Sequence, residues 1–273
     1  MIITQIQPIF LVAYAAVGAV VGVLAGLLGI GGGLIVVPAL MFLFAAEKLP
    51  SPYHVHLAVG TSLATIIFTA FASVRAHHAH GAVDWKVFVR MTPGILLGTG
   101  GTALLAINLP ASFLKWLFAC FVIFVASQMI FDIKPHAARE IPGWSGLFVT
   151  GALIGGLSSL VGIGGGSMTV PFLVWCNVTV QRAIATSAAI GLPIALAGSA
   201  GYMFSGSGIA GLPALCIGFV YLPALLGIAL VSMVTAPMGA RLAHRLPVQN
   251  LKKIFACFLL IIAARLVWSA LHS

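Results

Sequence analysis

Residues 29–38 read GIGGGLIVVP, and residues 162–171 read GIGGGSMTVP. Each decapeptide joins a long apolar run to a short one. Run 8–28 leads into the first copy and 34–46 follows it; 144–161 leads into the second and 167–176 follows it. Consecutive glycines cannot sustain a helix, because each costs about 1 kcal/mol relative to alanine. The two short runs also fall below the about 20 residues that a membrane helix needs. Each decapeptide therefore predicts a broken segment: a helix, a glycine turn, and a short helix that Pro38 or Pro171 is placed to end or kink.

The surroundings make these breaks informative. Of 273 residues, 61% are hydrophobic and 6% are charged, with a mean hydropathy of +1.17. An ordinary soluble domain carries about 25% charged residues. Soluble, disordered, fibrous and disulfide-scaffold classes are excluded, and the composition predicts an all-α polytopic membrane protein. Six further apolar runs lie at 57–74, 87–107, 112–131, 183–203, 213–236 and 251–271. No Lys or Arg precedes Lys48, so the first run lacks the basic flank of a signal peptide and is expected to stay as a membrane segment. Non-helical backbone at membrane depth persists only where protein or a water-filled cavity satisfies it. The two broken segments are therefore expected to meet inside the protein.

The glycine blocks belong to a longer repeat. AVGTS at 58–62 matches AIATS at 183–187. LPASFLKWLFACF at 109–121 matches LPVQNLKKIFACF at 246–258, with eight of thirteen positions identical. Three matches in the same order predict two repeats, 1–141 and 142–273, within one integral membrane domain. Loop charge predicts their relative orientation, since Lys and Arg collect on the cytoplasmic side. If the chain reverses at the second glycine block, loops 75–90, 132–143, 177–182 and 237–253 share one side and hold ten of the thirteen basic residues. If it passes straight through, the split becomes five inside and seven outside. Reversal accounts for the bias. It makes the repeats inverted, each with a glycine-broken or re-entrant first helix pair followed by three transmembrane helices.

Inverted repeats with broken segments at matching positions point to a secondary transporter whose site lies at the repeat interface. A helix that starts after a glycine turn presents unpaired N–H groups and about half a positive charge, and so attracts anions. Gly31, Gly32 and Gly33 in one repeat, with Gly164, Gly165 and Gly166 in the other, are the candidate anion-binding residues. Ser167 adds a hydroxyl. Glycine also serves close helix packing in membranes, and that is the competing reading. Thr61-Ser62 and Thr186-Ser187 place a hydroxyl pair in each repeat, to face substrate or a coupling cation, or to bond to nearby carbonyls. A dinucleotide fingerprint would require a strand before the glycines, and the composition leaves none.

All four acids, Glu47, Asp84, Asp132 and Glu140, fall in loops or at helix ends. A transporter of cations or protons usually carries carboxylates at depth, so their placement favours an anionic substrate. Arg265 is the only base well inside an apolar run; it reads either as a substrate contact or as a side chain snorkelling to the interface. His77, His78 and His80 form a basic loop cluster without an evident fourth metal ligand, and no metal site is expected. The four cysteines form no CxxC motif. The net charge of +9 lacks the basic stripe interleaved with aromatics that nucleic-acid binding needs. An intramembrane enzyme would need a nucleophile–base pair or a metal at depth, and no cofactor is called for.

The glycine-to-proline block followed by AVGTS or AIATS, and its recurrence, resemble the TauE/SafE sulfite exporter family over nearly the whole chain. The resemblance implies transport of small sulfur-containing or organic anions, such as sulfite, thiosulfate or sulfoacetate, across a bacterial cell inner membrane. The expected partners are the lipid bilayer, the anion, and a coupling ion (H⁺ or Na⁺), with a homodimer compatible and no nucleic acid. An anion channel and a carrier of small organic carboxylates are the alternatives.

Overall fold

The computed structural model describes residues 7–28, 32–49, 52–131, 139–243 and 248–271. The elements are helical apart from one hairpin. In the first half these are α1 (Pro8–Leu28), α2 (Gly33–Ala46), α3 (His54–Ala79), α4 (Trp85–Leu105) and α5 (Ala111–Ile130). In the second they are α6 (Trp144–Val161), α7 (Gly166–Trp175), α8 (Val180–Ser205), α9 (Leu222–Ala243) and α10 (Val248–Leu271). Among the described residues, five helices (α1, α3, α5, α6 and α8) are long and apolar enough to cross a membrane, as the composition requires of a polytopic membrane protein.

Both short helices form as expected. α2 and α7 have 14 and 10 residues, so at 1.5 Å per residue they are about 21 and 15 Å long, against a hydrocarbon core of about 30 Å. Both helices continue past their prolines, Pro38 and Pro171, so those residues end neither helix. The stops come later, at Glu47 and Cys176, and the next residues, Lys48 and Asn177, take positive φ of 54° and 62°.

One apolar run departs from a continuous helix. The stretch 213–236 opens with a two-stranded antiparallel hairpin, β1 (Cys216–Ile217) and β2 (Val220–Tyr221), before α9 begins. Gly218 turns the hairpin at φ +53°, and a Cβ there would sit 2.1 Å from the Met203 carbonyl oxygen. Hydropathy is blind to this, because the hairpin is as apolar as the helix after it.

Helix packing is pairwise. α1 lies along α9 and α4 along α6. α3 crosses α8, α4 touches α8, and α3 touches α9. α2 rests on α3 and α7 on α8, while α5 and α10 pair. Glycines allow the closest of these approaches: Gly18 and Gly22 of α1 sit against the backbone of Ile228 and Ser232, and Gly151 and Gly155 of α6 against that of Met91 and Ile95. The core is built from α3, α8 and the short helices, where Val37, Leu40, Leu57, Leu63, Ile190 and Ile194 are fully buried.

Candidate functional site

The second glycine block closes α6 and opens α7. Gly162 caps α6 in the left-handed region at φ +75°, and Gly165 precedes α7 at φ +76°. A side chain at either position is strained. The Ser158 carbonyl accepts from the N–H groups of Gly162 and Ile163, and the Gly165 carbonyl accepts from Met168 and Thr169. Between those bonds, the N–H groups of Gly164, Gly165, Gly166 and Ser167 have no acceptor among the described residues. All four residues are buried. This is a helix N-terminus with its donors sealed inside the protein, the arrangement that binds anions.

The two glycine blocks meet. A Cβ on Gly33, the first residue of α2, would lie 2.4 Å from the Gly162 carbonyl oxygen and 2.9 Å from the Ile163 Cα. Val37, one turn on, and Val59 of α3 also close on Gly162. Gly32 caps α2. Gly31 lies outside the described residues.

Hydroxyl groups surround the second turn. Ser62 donates to the Gly162 carbonyl at 2.8 Å, tying α3 to the turn. Ser167 is 8% exposed and its hydroxyl has no partner. Four further hydroxyls, all fully buried, share that condition among the described residues: Thr99, Ser158 and Thr169 near the turn, and Tyr202 apart from it against Phe219. The Ser158 Oγ lies 3.4 Å from the place a Gly165 Cβ would occupy. Thr99 packs against Gly155 and Gly198, one turn from Ser158 on α6 and from Ile194 on α8, the isoleucine that meets Gly165. Sequence reading missed Ser158, Thr99 and Thr169. Only Thr169 carried a signal, since it stands in the repeated block opposite Val36.

The threonines of the repeated AVGTS and AIATS blocks have a different job. Thr61 Oγ1 accepts the N–H of Tyr221 at 3.0 Å, where β2 passes into α9, and Thr186 Oγ1 accepts the N–H of Asp84 at 2.9 Å, at the start of α4. Each hydroxyl thus satisfies an otherwise orphaned donor at the head of another helix. Ser187 is buried beside Thr186. Arg265 is exposed, its guanidinium 4.8 Å above the Phe42 ring of α2. That stacks it on the outer side of the broken segment, away from the glycine turn.

Two of the three described acids are engaged at helix ends, and the third, Glu140, is exposed. The Asp84 carboxylate caps α4 by accepting from the N–H groups of Lys86 and Val87, and lies 3.6 Å from Arg182. Glu47 accepts from Tyr14 Oη at 2.5 Å and Tyr221 Oη at 3.0 Å. Asp132 lies outside the described residues. A separate cavity of about 400 Å³ opens where α3 begins and α4 ends, beside Tyr53, His56 and Asn108. His56 hydrogen-bonds the Ala106 carbonyl there at 3.0 Å.

The fold is a polytopic helical bundle with two short, glycine-initiated helices meeting in its interior. The chain matches the family described as Sulfite exporter TauE/SafE across residues 14–266, and it belongs to that family. It is 37% identical to a probable membrane transporter protein of Haemophilus influenzae, over 93% of this chain and 97% of the relative. Similar proteins of the same description occur in Methanocaldococcus jannaschii, at 28% identity over 89% of this chain and 90% of the relative, and in Bacillus subtilis, at 27% over 96% and 99%. Family and relatives alike describe a membrane transporter, and the five candidate spans make it a multi-pass one.

Proposed function

We propose that the chain is a secondary transporter of a small anion, of the sulfur oxyanion or sulfonate class, acting by alternating access between two inverted repeats in a bacterial inner membrane. The observation that carries this reading is the sealed N-terminus of α7. Four unpaired N–H groups and the unpartnered Ser158 and Ser167 hydroxyls offer donors, and the described bases sit elsewhere. Buried donors without acceptors cost free energy in the empty site, and an anion would recover it.

A two-fold repeat is supported by the packing, and the loop charges supply the inversion. Replacing each of α1–α5 by the helix five places later, and each of α6–α10 by the one five places earlier, returns the same principal contacts: α1–α9 becomes α6–α4, and α3–α9 becomes α8–α4. Residue pairs follow the same exchange, with Gly18 on Ile228 answered by Gly151 on Met91. Thr61 bonded to Tyr221 is answered by Thr186 bonded to Asp84. The second glycine turn is buried, so substrate would reach it only when the packed helices part, as rocking of one repeat on the other would allow. Coupling to H⁺ or Na⁺ belongs to the same reading.

Reconstituted protein is expected to move labelled sulfite or a labelled sulfonate into vesicles. Gly165→Leu would fill the turn and stop flux while leaving helix content unchanged. Wild-type flux in that variant would remove the site from the glycine turn.

A further inference from the structure

We infer that the anion carried is a monoanion with a single charged head and a short apolar body, held head-first on the second glycine turn. This rests on the transport reading above and narrows it.

The first observation is that, among the described residues, the unpartnered hydroxyls around the turn come mainly from the second repeat. Several buried hydroxyls elsewhere in this chain are satisfied, those of Thr65, Ser159, Ser199 and Ser232 each donating to a carbonyl three residues back, while Tyr202 against Phe219 has no partner among the described residues. Thr99, Ser158, Ser167 and Thr169 are comparably buried and donate to nothing among the described residues. Three of these four stand in the second repeat, on α6 and α7. Thr99 lies on α4, which packs on α6. The internal alignment puts Leu34 opposite Ser167, Val36 opposite Thr169, Ala25 opposite Ser158 and Ala236 opposite Thr99. These aligned positions are apolar, and Thr235, which meets Gly22 as Thr99 meets Gly155, donates to the Val231 carbonyl, so the exchange of repeats yields none of these unpartnered hydroxyls.

The second observation is what faces those donors. The side chains that close on Gly162 and Gly164 from the first repeat are Val37, Val59 and Ile66, while Ile154 and Ile194 stand over Gly165. Ser62 also reaches the turn, but its proton is committed to the Gly162 carbonyl. A ligand seated on the turn therefore meets donors at one end and methyl groups around the rest. A second charged head would be pressed against isoleucine and valine.

The third observation concerns charge. The described arginines nearest the short helices are engaged elsewhere: Arg265 over Phe42, Arg139 over Trp175 and Arg182 with Asp84. The site holds charge with dipoles alone. The cost of stripping water from an ion rises with the square of its charge, whereas its attraction to fixed dipoles rises only in proportion. Dipoles without a countercharge therefore select one negative charge over two.

Calorimetric titration of the purified protein in nanodiscs with ethanesulfonate, methanesulfonate, sulfate and sulfoacetate tests this. Ethanesulfonate is expected to bind most tightly. Sulfate and the two-headed sulfoacetate should bind at least about tenfold more weakly, the equivalent of one lost hydrogen bond. Ser158→Ala should weaken ethanesulfonate binding about five- to tenfold. Sulfoacetate or sulfate binding as tightly as ethanesulfonate, or an unchanged affinity in Ser158→Ala, would overturn the inference while leaving anion transport standing. Heat from none of the four anions would overturn the transport reading itself.

Discussion

The meeting of the two glycine blocks can be tested with one methyl group. In Gly33→Ala the new Cβ would stand 2.4 Å from the Gly162 carbonyl oxygen and 2.9 Å from the Ile163 Cα. Both are backbone atoms and cannot rotate away. Reaching ordinary contact at 3.4 Å requires the α2 start and the second turn to separate by about 1.0 Å. A movement of that size would also strain the Ser62-to-Gly162 hydrogen bond, now 2.8 Å long. Overpacking of this kind costs about 1–3 kcal/mol. Gly100→Ala is the control, because nothing lies within 4 Å of its Cβ position in α4, and there alanine should stabilise by about 0.5–1 kcal/mol. Thermal unfolding in detergent, read by circular dichroism, should lower the melting temperature of Gly33→Ala and raise that of Gly100→Ala, with anion flux falling only in the first. A Gly33→Ala protein that melts and transports like the wild type would refute the close approach of the blocks.

Other expectations follow from the same geometry. Thr61→Val and Thr186→Val each strand a backbone N–H, of Tyr221 and of Asp84; each should destabilise by about 1–3 kcal/mol in chemical unfolding, and equal losses would fit their matched roles. Glu47→Ala removes the acceptor shared by Tyr14 and Tyr221, so it should cost about 2 kcal/mol, with Glu47→Gln costing less because one carbonyl acceptor remains; equal melting of the two variants would contradict this. Cysteines placed at Ser207 and Gln249 should be labelled from the periplasmic and the cytoplasmic side respectively, and labelling of both from one side would remove the inverted arrangement.

Much of the architecture was readable because the sequence states it in long-period terms. Ten apolar runs became ten helices, and the second glycine block broke the chain where consecutive residues without a Cβ had to. The hairpin at Cys216–Tyr221 was hidden, since two-residue strands of Cys, Ile, Val and Tyr look like more helix. Of the two roles expected for Pro38 and Pro171, ending their helices is excluded, because both helices continue past them. The site was half legible. Gly164–Ser167 announced themselves through the repeat. Ser158 and Thr99 did not, because one stands 7 residues before Gly165 and the other comes from a separate helix. The capping roles of Thr61 and Thr186 join residues 160 and 102 positions apart, and no local pattern reports a bond of that span.

The central claim is that the N–H groups of Gly164, Gly165, Gly166 and Ser167 hold the transported anion. Amide NMR of protein labelled with ¹⁵N at glycine and serine, in nanodiscs, tests it most directly when sulfite and then ethanesulfonate are titrated in. The account predicts saturable downfield shifts of those four amide protons, while Gly100 and Gly143, which face open space, stay in place. Saturable shifts confined to other residues, with those four amides unmoved, would contradict it.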